Sequence, residues 1–201
     1  MAGANGSKGA TSNPGRRPFG GRSISSLLSE IARAPEVDIG KAAARLRPGV
    51  VVDSRFEIVH EVGRGGFGVV YEARDLSLGR TVAFKVVSAG KGALREDRLL
   101  REAAAAARLS HPNIVQLHDM GHSEYGPYLV LEMVRGRTLA ERLDAGVLPS
   151  SEAMHMARDV AAALAHAHSA GVVHRDVNPR NVLVDGEGHA KVLDFGLARA
   201  F

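Results

Sequence analysis

Apolar positions alternate with polar ones over several short runs of the chain, and two longer stretches repeat at helical spacing. Phe56, Ile58, Val59 and Val62 mark one strand, and Val69, Val70, Tyr71 and Ala73 a second. Thr81–Val87 reads as a third, with a lysine embedded in it. Residues 94–109 then predict a helix with Leu99, Leu100, Ala103, Ala106 and Ala107 on one side, ended by Ser110-His-Pro-Asn. Asn113–His118 and Tyr128–Met133 suggest two further strands joined across the turn Gly121–Pro127. Pro149 and Ser150 open a long helix whose apolar stripe is Met154, Ala157, Val160, Ala161, Leu164 and His168, stopped by Gly171. Two short apolar strands follow, Val182–Val184 and Ala190–Leu193. Strands with one helix, then mostly helix, predict an α+β fold in two lobes.

Residues 1–50 lack this texture. Residues 1–22 are rich in Gly, Ser, Asn and Pro and cannot bury enough apolar surface to fold, so a disordered tail is expected. Ile24, Leu27, Leu28 and Ile31 mark a short candidate helix within it. These fifty residues hold eight basic and three acidic side chains, net +5, although the whole chain is only +4. The remaining body is therefore near neutral, which argues against a nucleic-acid-binding domain. There is no cysteine among the 201 residues, which excludes disulfides and thiolate chemistry and fits a cytoplasmic location. No apolar run is long enough for a membrane span.

Three clusters carry candidate chemistry. Gly63-x-Gly65-Gly66-x-Gly68 is followed by a strand-like segment, not by a helix or a Lys-Ser pair. It fits neither a dinucleotide fingerprint nor a Walker loop. A glycine flap over phosphates and a plain glycine-rich hairpin both remain open. Lys85 sits on the apolar strand, where an ammonium needs an anion, and Glu102 on the following helix is a plausible partner. His174-Arg175-Asp176-Val177-Asn178-Pro179-Arg180-Asn181 is followed, thirteen residues after Asn181, by Asp194-Phe195-Gly196. Asp176 can accept a hydroxyl proton, and Asn181 and Asp194 offer hard oxygen ligands to Mg²⁺.

In this order the motifs resemble the protein kinase superfamily, specifically the eukaryotic-like (Hanks-type) Ser/Thr kinases of bacteria. GRGGFGVV is similar to the glycine-rich loop and VAFK to the phosphate-binding lysine strand. REAAAAARLSHPNIVQL is similar to the helix that supplies Glu102, and LVLEMV to the hinge. The resemblance implies a complete β-rich small lobe over about 51–134 and the first part of a helical large lobe over about 135–201. It implies ATP and Mg²⁺ as cofactors and a Ser/Thr-bearing protein as acceptor. Asp176 would be the base, Lys85 and Glu102 the phosphate-positioning pair, and Asn181 and Asp194 the metal ligands. Gly63, Gly65, Gly66 and Gly68 would cover the phosphates. Val62, Val70, Ala83, Leu183 and Leu193 would sandwich adenine, with Leu131 as gatekeeper and the Glu132 and Val134 backbone bonding the base.

Two features depart from that pattern. Asn178 stands where Ser/Thr members usually have a lysine, and Arg180 is expected to supply the charge in part. The chain also stops five residues after Gly196, before an activation segment or peptide platform. That implies a truncated domain with an apolar large-lobe face around Val160 and Leu164 for a partner protein to cover. A catalytically impaired nucleotide-binding regulator, or a fragment of an interrupted gene, is the alternative reading.

Overall fold

The computed structural model describes residues 46–65, 68–87 and 103–195. The expected tail, most of the helix expected over 94–109 (with Glu102), Gly66 and Gly196 lie outside the described residues. The expected candidate helix near Ile24 lies there too.

Six antiparallel strands form the small lobe: β1 (Val51–Val52), β2 (Phe56–Gly65), β3 (Gly68–Asp75), β4 (Arg80–Val87), β5 (Leu117–Ser123) and β6 (Gly126–Glu132), in the order β1-β2-β3-β4-β6-β5. Strand alternation divides β4 cleanly. Val82, Phe84 and Val86 enter an outer core, while Val87 joins Ala103, Leu117 and Leu129 on the other face. Ala83 and Lys85 share that second face with Val87.

The outer core is built around aromatic rings. Phe84 stacks on Tyr128 at 4.7 Å and lies 5.5 Å from Phe56. Leu46 closes the cluster and donates its N–H to the Tyr71 hydroxyl. Arg55 ties the edge, with two bonds to the buried Asp75 and one to Asp119.

The large lobe begins with β7 (Gly136–Thr138), α1 (Leu139–Asp144) and α2 (Ser150–Ser169). Thr138 and Glu141 form a reciprocal capping box at the start of α1. α2 ends on Gly171, whose φ of +75° suits a residue without a Cβ. There the Gly171 N–H bonds His168 O, and the Val172 N–H bonds Ala167 O. A 3-10 turn, Pro179–Asn181, leads into β8 (Val182–Asp185) and β9 (Ala190–Val192), which complete a second sheet in the order β7-β8-β9.

Three expectations change in detail. Asn113–His118 is not one strand: residues 113–115 bond to β9 instead, and β5 starts at Leu117. The turn between β5 and β6 is correspondingly tighter than Gly121–Pro127, because β6 begins at Gly126. α2 is also rotated from the expected stripe. Met156, Asp159, Ala163 and Ala167 are buried, Val160 and Leu164 are half-buried, and Met154 is 72% exposed.

Candidate active site

β2 and β3 meet as an antiparallel hairpin, pairing Gly65 with Gly68. The glycines therefore sit at the hairpin end, as their strand-like flank implied. Gly68 has φ +135°, and a Cβ there would lie 2.0 Å from Val86 O. Any side chain would force β3 away from β4, so glycine is a steric requirement at this position. Val70 lies opposite both Gly63 and Lys85 in the sheet, and Ala83 lies opposite Leu131. Val62, Val70 and Ala83 are all buried. Val115, Leu183 and Leu193 pack with Leu131 and Val134 as one apolar cluster. Most of the side chains expected to flank a flat base thus fall into a small-lobe set and a large-lobe set.

Glu132 and Val134 lie where the chain leaves β6. The Glu132 N–H is committed to Gln116 O at 2.9 Å, so a ligand contact from this peptide has to use the carbonyl. The Glu132 side chain accepts a 2.6 Å bond from Lys191 on β9 and a longer one from the Gln116 N–H. Sequence reading missed this ion pair, because nothing in the local pattern at Lys191 distinguishes it from an ordinary strand lysine.

The Lys85 ammonium is buried and reaches both oxygens of Asp194, at 2.9 and 3.1 Å. A buried cation needs such a counter-charge. Its described partner is therefore Asp194; the expected partner Glu102 lies outside the described residues. Asp194 itself has φ +53°, and Arg175 has φ +68°. Non-glycine residues in the left-handed region are uncommon and cluster at functional loops.

His174 couples the two loops, a role not foreseen from sequence. It is buried, its Nδ1 accepts the Asp176 N–H, and its Nε2 lies 2.7 Å from Leu193 O. Because Nδ1 accepts, the ring proton sits on Nε2 and is donated to Leu193 O. Phe195 packs edge-on against the same ring at 4.8 Å.

Asp176 is exposed, and its carboxylate is held on both sides. Asn178 donates to Oδ1 at 3.0 Å, and Asn181 donates to Oδ2 at 3.0 Å. Both amides also bond the Asp176 carbonyl. Asn178 Oδ1 is used as well, since it accepts the Arg180 N–H and caps the 3-10 turn. The Arg180 side chain is exposed on that turn.

A divalent cation fits the donor chemistry. The Asn181 amide nitrogen is turned to Asp176, so its oxygen faces elsewhere, and Asp194 adds a carboxylate. No cluster of three or more His, Cys, Asp or Glu suited to a metal occurs among the described residues. Mg²⁺ typically takes one or two protein carboxylates and completes its shell with phosphate and water.

Comparison with known proteins agrees with the geometry. A family model described as "Protein kinase domain" matches residues 56–201. The chain is 42% identical over 159 residues to a probable serine/threonine-protein kinase pknA2 of Bifidobacterium longum, covering 76% of this chain and 21% of the relative. It is 41% identical over 152 residues to serine/threonine-protein kinase PrkC of Bacillus subtilis, covering 74% and 24%. The crystal structure of the Mycobacterium tuberculosis PknI kinase domain superposes with a TM-score of 0.70 at 31% identity, covering 77% of this chain and 62% of that one. The chain spans about a quarter or less of the length of these curated relatives.

Proposed function

The chain belongs to the protein kinase family, and from that premise we propose that it transfers the γ-phosphoryl group of ATP to a serine or threonine hydroxyl of a protein. The observation that supports this reading is that Lys85 pairs with Asp194 and Asn181 with Asp176, while the Leu193 N–H bonds Asn181 O and so ties the two pairs' segments together.

Adenine enters between Val62, Val70 and Ala83 on one side and Leu183 and Leu193 on the other, with Val134 at the hinge. Gly63, Gly65, Gly66 and Gly68 present backbone N–H groups to the phosphates, and Lys85 supplies the cation that orients them. Glu102 is assigned to steady Lys85. Asn181 and Asp194 would hold Mg²⁺, which would supply charge neutralisation at the phosphate oxygens. Asp176 accepts the acceptor hydroxyl's proton, and the two asparagine amides fix the direction of its free lone pairs. Arg180, whose side chain makes no hydrogen bond or ion pair among the described residues, offers the positive charge that Asn178 lacks. If Arg180→Ala leaves the phosphotransfer rate unchanged, Arg180 has no such role.

No helix among the described residues is long and apolar enough to cross a membrane. The reading places the catalytic unit in the cytoplasm, where ATP is available. A partner protein would cover the α2 face around Val160 and Leu164, both half-buried.

The test is transfer of labelled phosphate from ATP with Mg²⁺ to a Ser/Thr-containing protein acceptor, using Asp176→Asn and Lys85→Met. Each variant is expected to lower the rate by about a hundredfold or more. Asp176→Asn should still bind nucleotide. Equal transfer by wild type and both variants refutes the assignment.

A further inference from the structure

Glu132, the last residue of β6, is held by an exchange that departs from the strand ladder. Two residues facing each other in a hydrogen-bonded antiparallel pair normally exchange both N–H···O contacts. Glu132 makes its half, donating its N–H to Gln116 O at 2.9 Å. The return half is diverted: the Gln116 N–H donates to the Glu132 carboxylate, at 3.3 Å, and not to the Glu132 carbonyl. A side-chain oxygen thus stands in for the residue's own peptide oxygen.

Lys191 keeps the carboxylate in that place. Its ammonium donates to the other carboxylate oxygen at 2.6 Å. The two side chains are only 20% and 30% exposed, so this is not a loose surface contact. Lys191 pairs with Leu183 across β8 and β9, so the two side chains leave the same face of that sheet. The opposite face, with Val182, Val184 and Ala190, packs with Met156 of α2. Lys191 therefore reaches from the Leu183 face of the large-lobe sheet to the end of the small-lobe sheet.

We propose that Lys191 is a positioning residue for base selectivity: by holding the Glu132 carboxylate on the Gln116 N–H, it keeps the Glu132 carbonyl free to accept a hydrogen bond from the 6-amino group of adenine. This rests on the nucleotide-binding part of the kinase reading. Without the ammonium, the carboxylate loses its charged partner and turns to water. The Gln116 N–H then closes on the Glu132 carbonyl, which completes the antiparallel pair and draws that oxygen into the ladder. A purine without an amino group at this position gives up nothing by the change, so the loss falls on adenine alone.

The probes are ATP and purine riboside 5′-triphosphate, which has hydrogen in place of the 6-amino group. Each is titrated with Mg²⁺ against the full chain, displacing a fluorescent ATP analogue. Wild type should prefer ATP by about tenfold, the upper range for one neutral hydrogen bond. In Lys191→Met the preference should fall to about twofold, through weaker ATP binding, with purine riboside triphosphate affinity little changed. Glu132→Ala, which keeps the peptide carbonyl but has no carboxylate, should lose the same preference, and the double variant should lose no more. Lys191→Arg should restore most of it. Binding of purine riboside triphosphate shows that each variant is folded, and if Lys191→Met does not fold, Glu132→Ala carries the test. Equal weakening of both nucleotides overturns the proposal, because the ion pair then only braces the fold. An unchanged preference in the variants overturns it too, as does a wild type that binds both nucleotides equally. A wild type that binds neither refutes the nucleotide-site reading and this proposal with it. Selective ATP binding without phosphotransfer leaves the role of Lys191 standing and refutes the transfer step instead.

Discussion

As the proposed base, Asp176 has to be exposed to meet an acceptor and yet held still enough to point at it. Two amides, one on each carboxylate oxygen, reconcile those demands. Asn181 is also assigned to the metal, so removing it would change two things at once. Asn178 is the cleaner probe. Its hydrogen bond is to a charged group and is worth about 1.5–3 kcal/mol at most. Solvent competes at this exposed loop, so the lower end applies. Asn178→Ala is expected to reduce kcat roughly tenfold while leaving the KM for ATP unchanged, as steady-state kinetics would show. A rise in KM with unchanged kcat would mean that Asn178 serves nucleotide binding instead.

At the scale of elements, local signals were legible and long-range ones were not. The hairpin at Gly63–Gly68, the helix stop at Gly171 and the loop from His174 to Asn181 each lie within a few residues of sequence, where turn chemistry and spacing speak directly. The face of α2 was misjudged for a physical reason. Seven of the helix's twenty residues are alanine, which hardly separates one face from another, and Asp159 sits on the buried side. That carboxylate is buried because it accepts the N–H of Ala190 on β9 at 3.1 Å, an arrangement hydropathy counts against. The Lys85–Asp194 pair spans 109 residues and Lys191–Glu132 spans 59, so no spacing rule reaches either. β5 was misplaced because it is a polar edge strand with no alternation to read. Asp159→Ala should expose the cost of the α2 arrangement. It leaves the Ala190 N–H buried without an acceptor, a loss of about 1–3 kcal/mol. Urea unfolding at constant pH should show a lower midpoint with an unchanged m-value; an unaltered midpoint would show that water replaces the carboxylate.

Across the whole molecule, three titratable groups at the joints between elements, His111, His118 and Asp75, have shifts that make acid destabilising. Burial holds His111 below the usual histidine range, and the neighbouring His166 ring, 5.1 Å away, adds to it. Burial also lowers His118, with Arg80 contributing. Hydrogen bonds from Arg55 hold the Asp75 carboxyl below the usual aspartate range. In each case the unfolded chain takes up a proton at a pH where the folded one still resists. The histidine contribution is complete above about pH 6.5 and is lost as pH falls from there through the folded values. The Asp75 contribution is complete above about pH 4 and disappears only below it. The thermal midpoint, followed by far-UV circular dichroism, should therefore fall in two stages as pH is lowered, one setting in below about pH 7 and one in strong acid. His111→Asn removes a group from the first stage only, so its midpoint should decline less steeply through that stage. A wild-type midpoint that stays flat or rises through the first stage would contradict the lowered range assigned to both half-buried histidines.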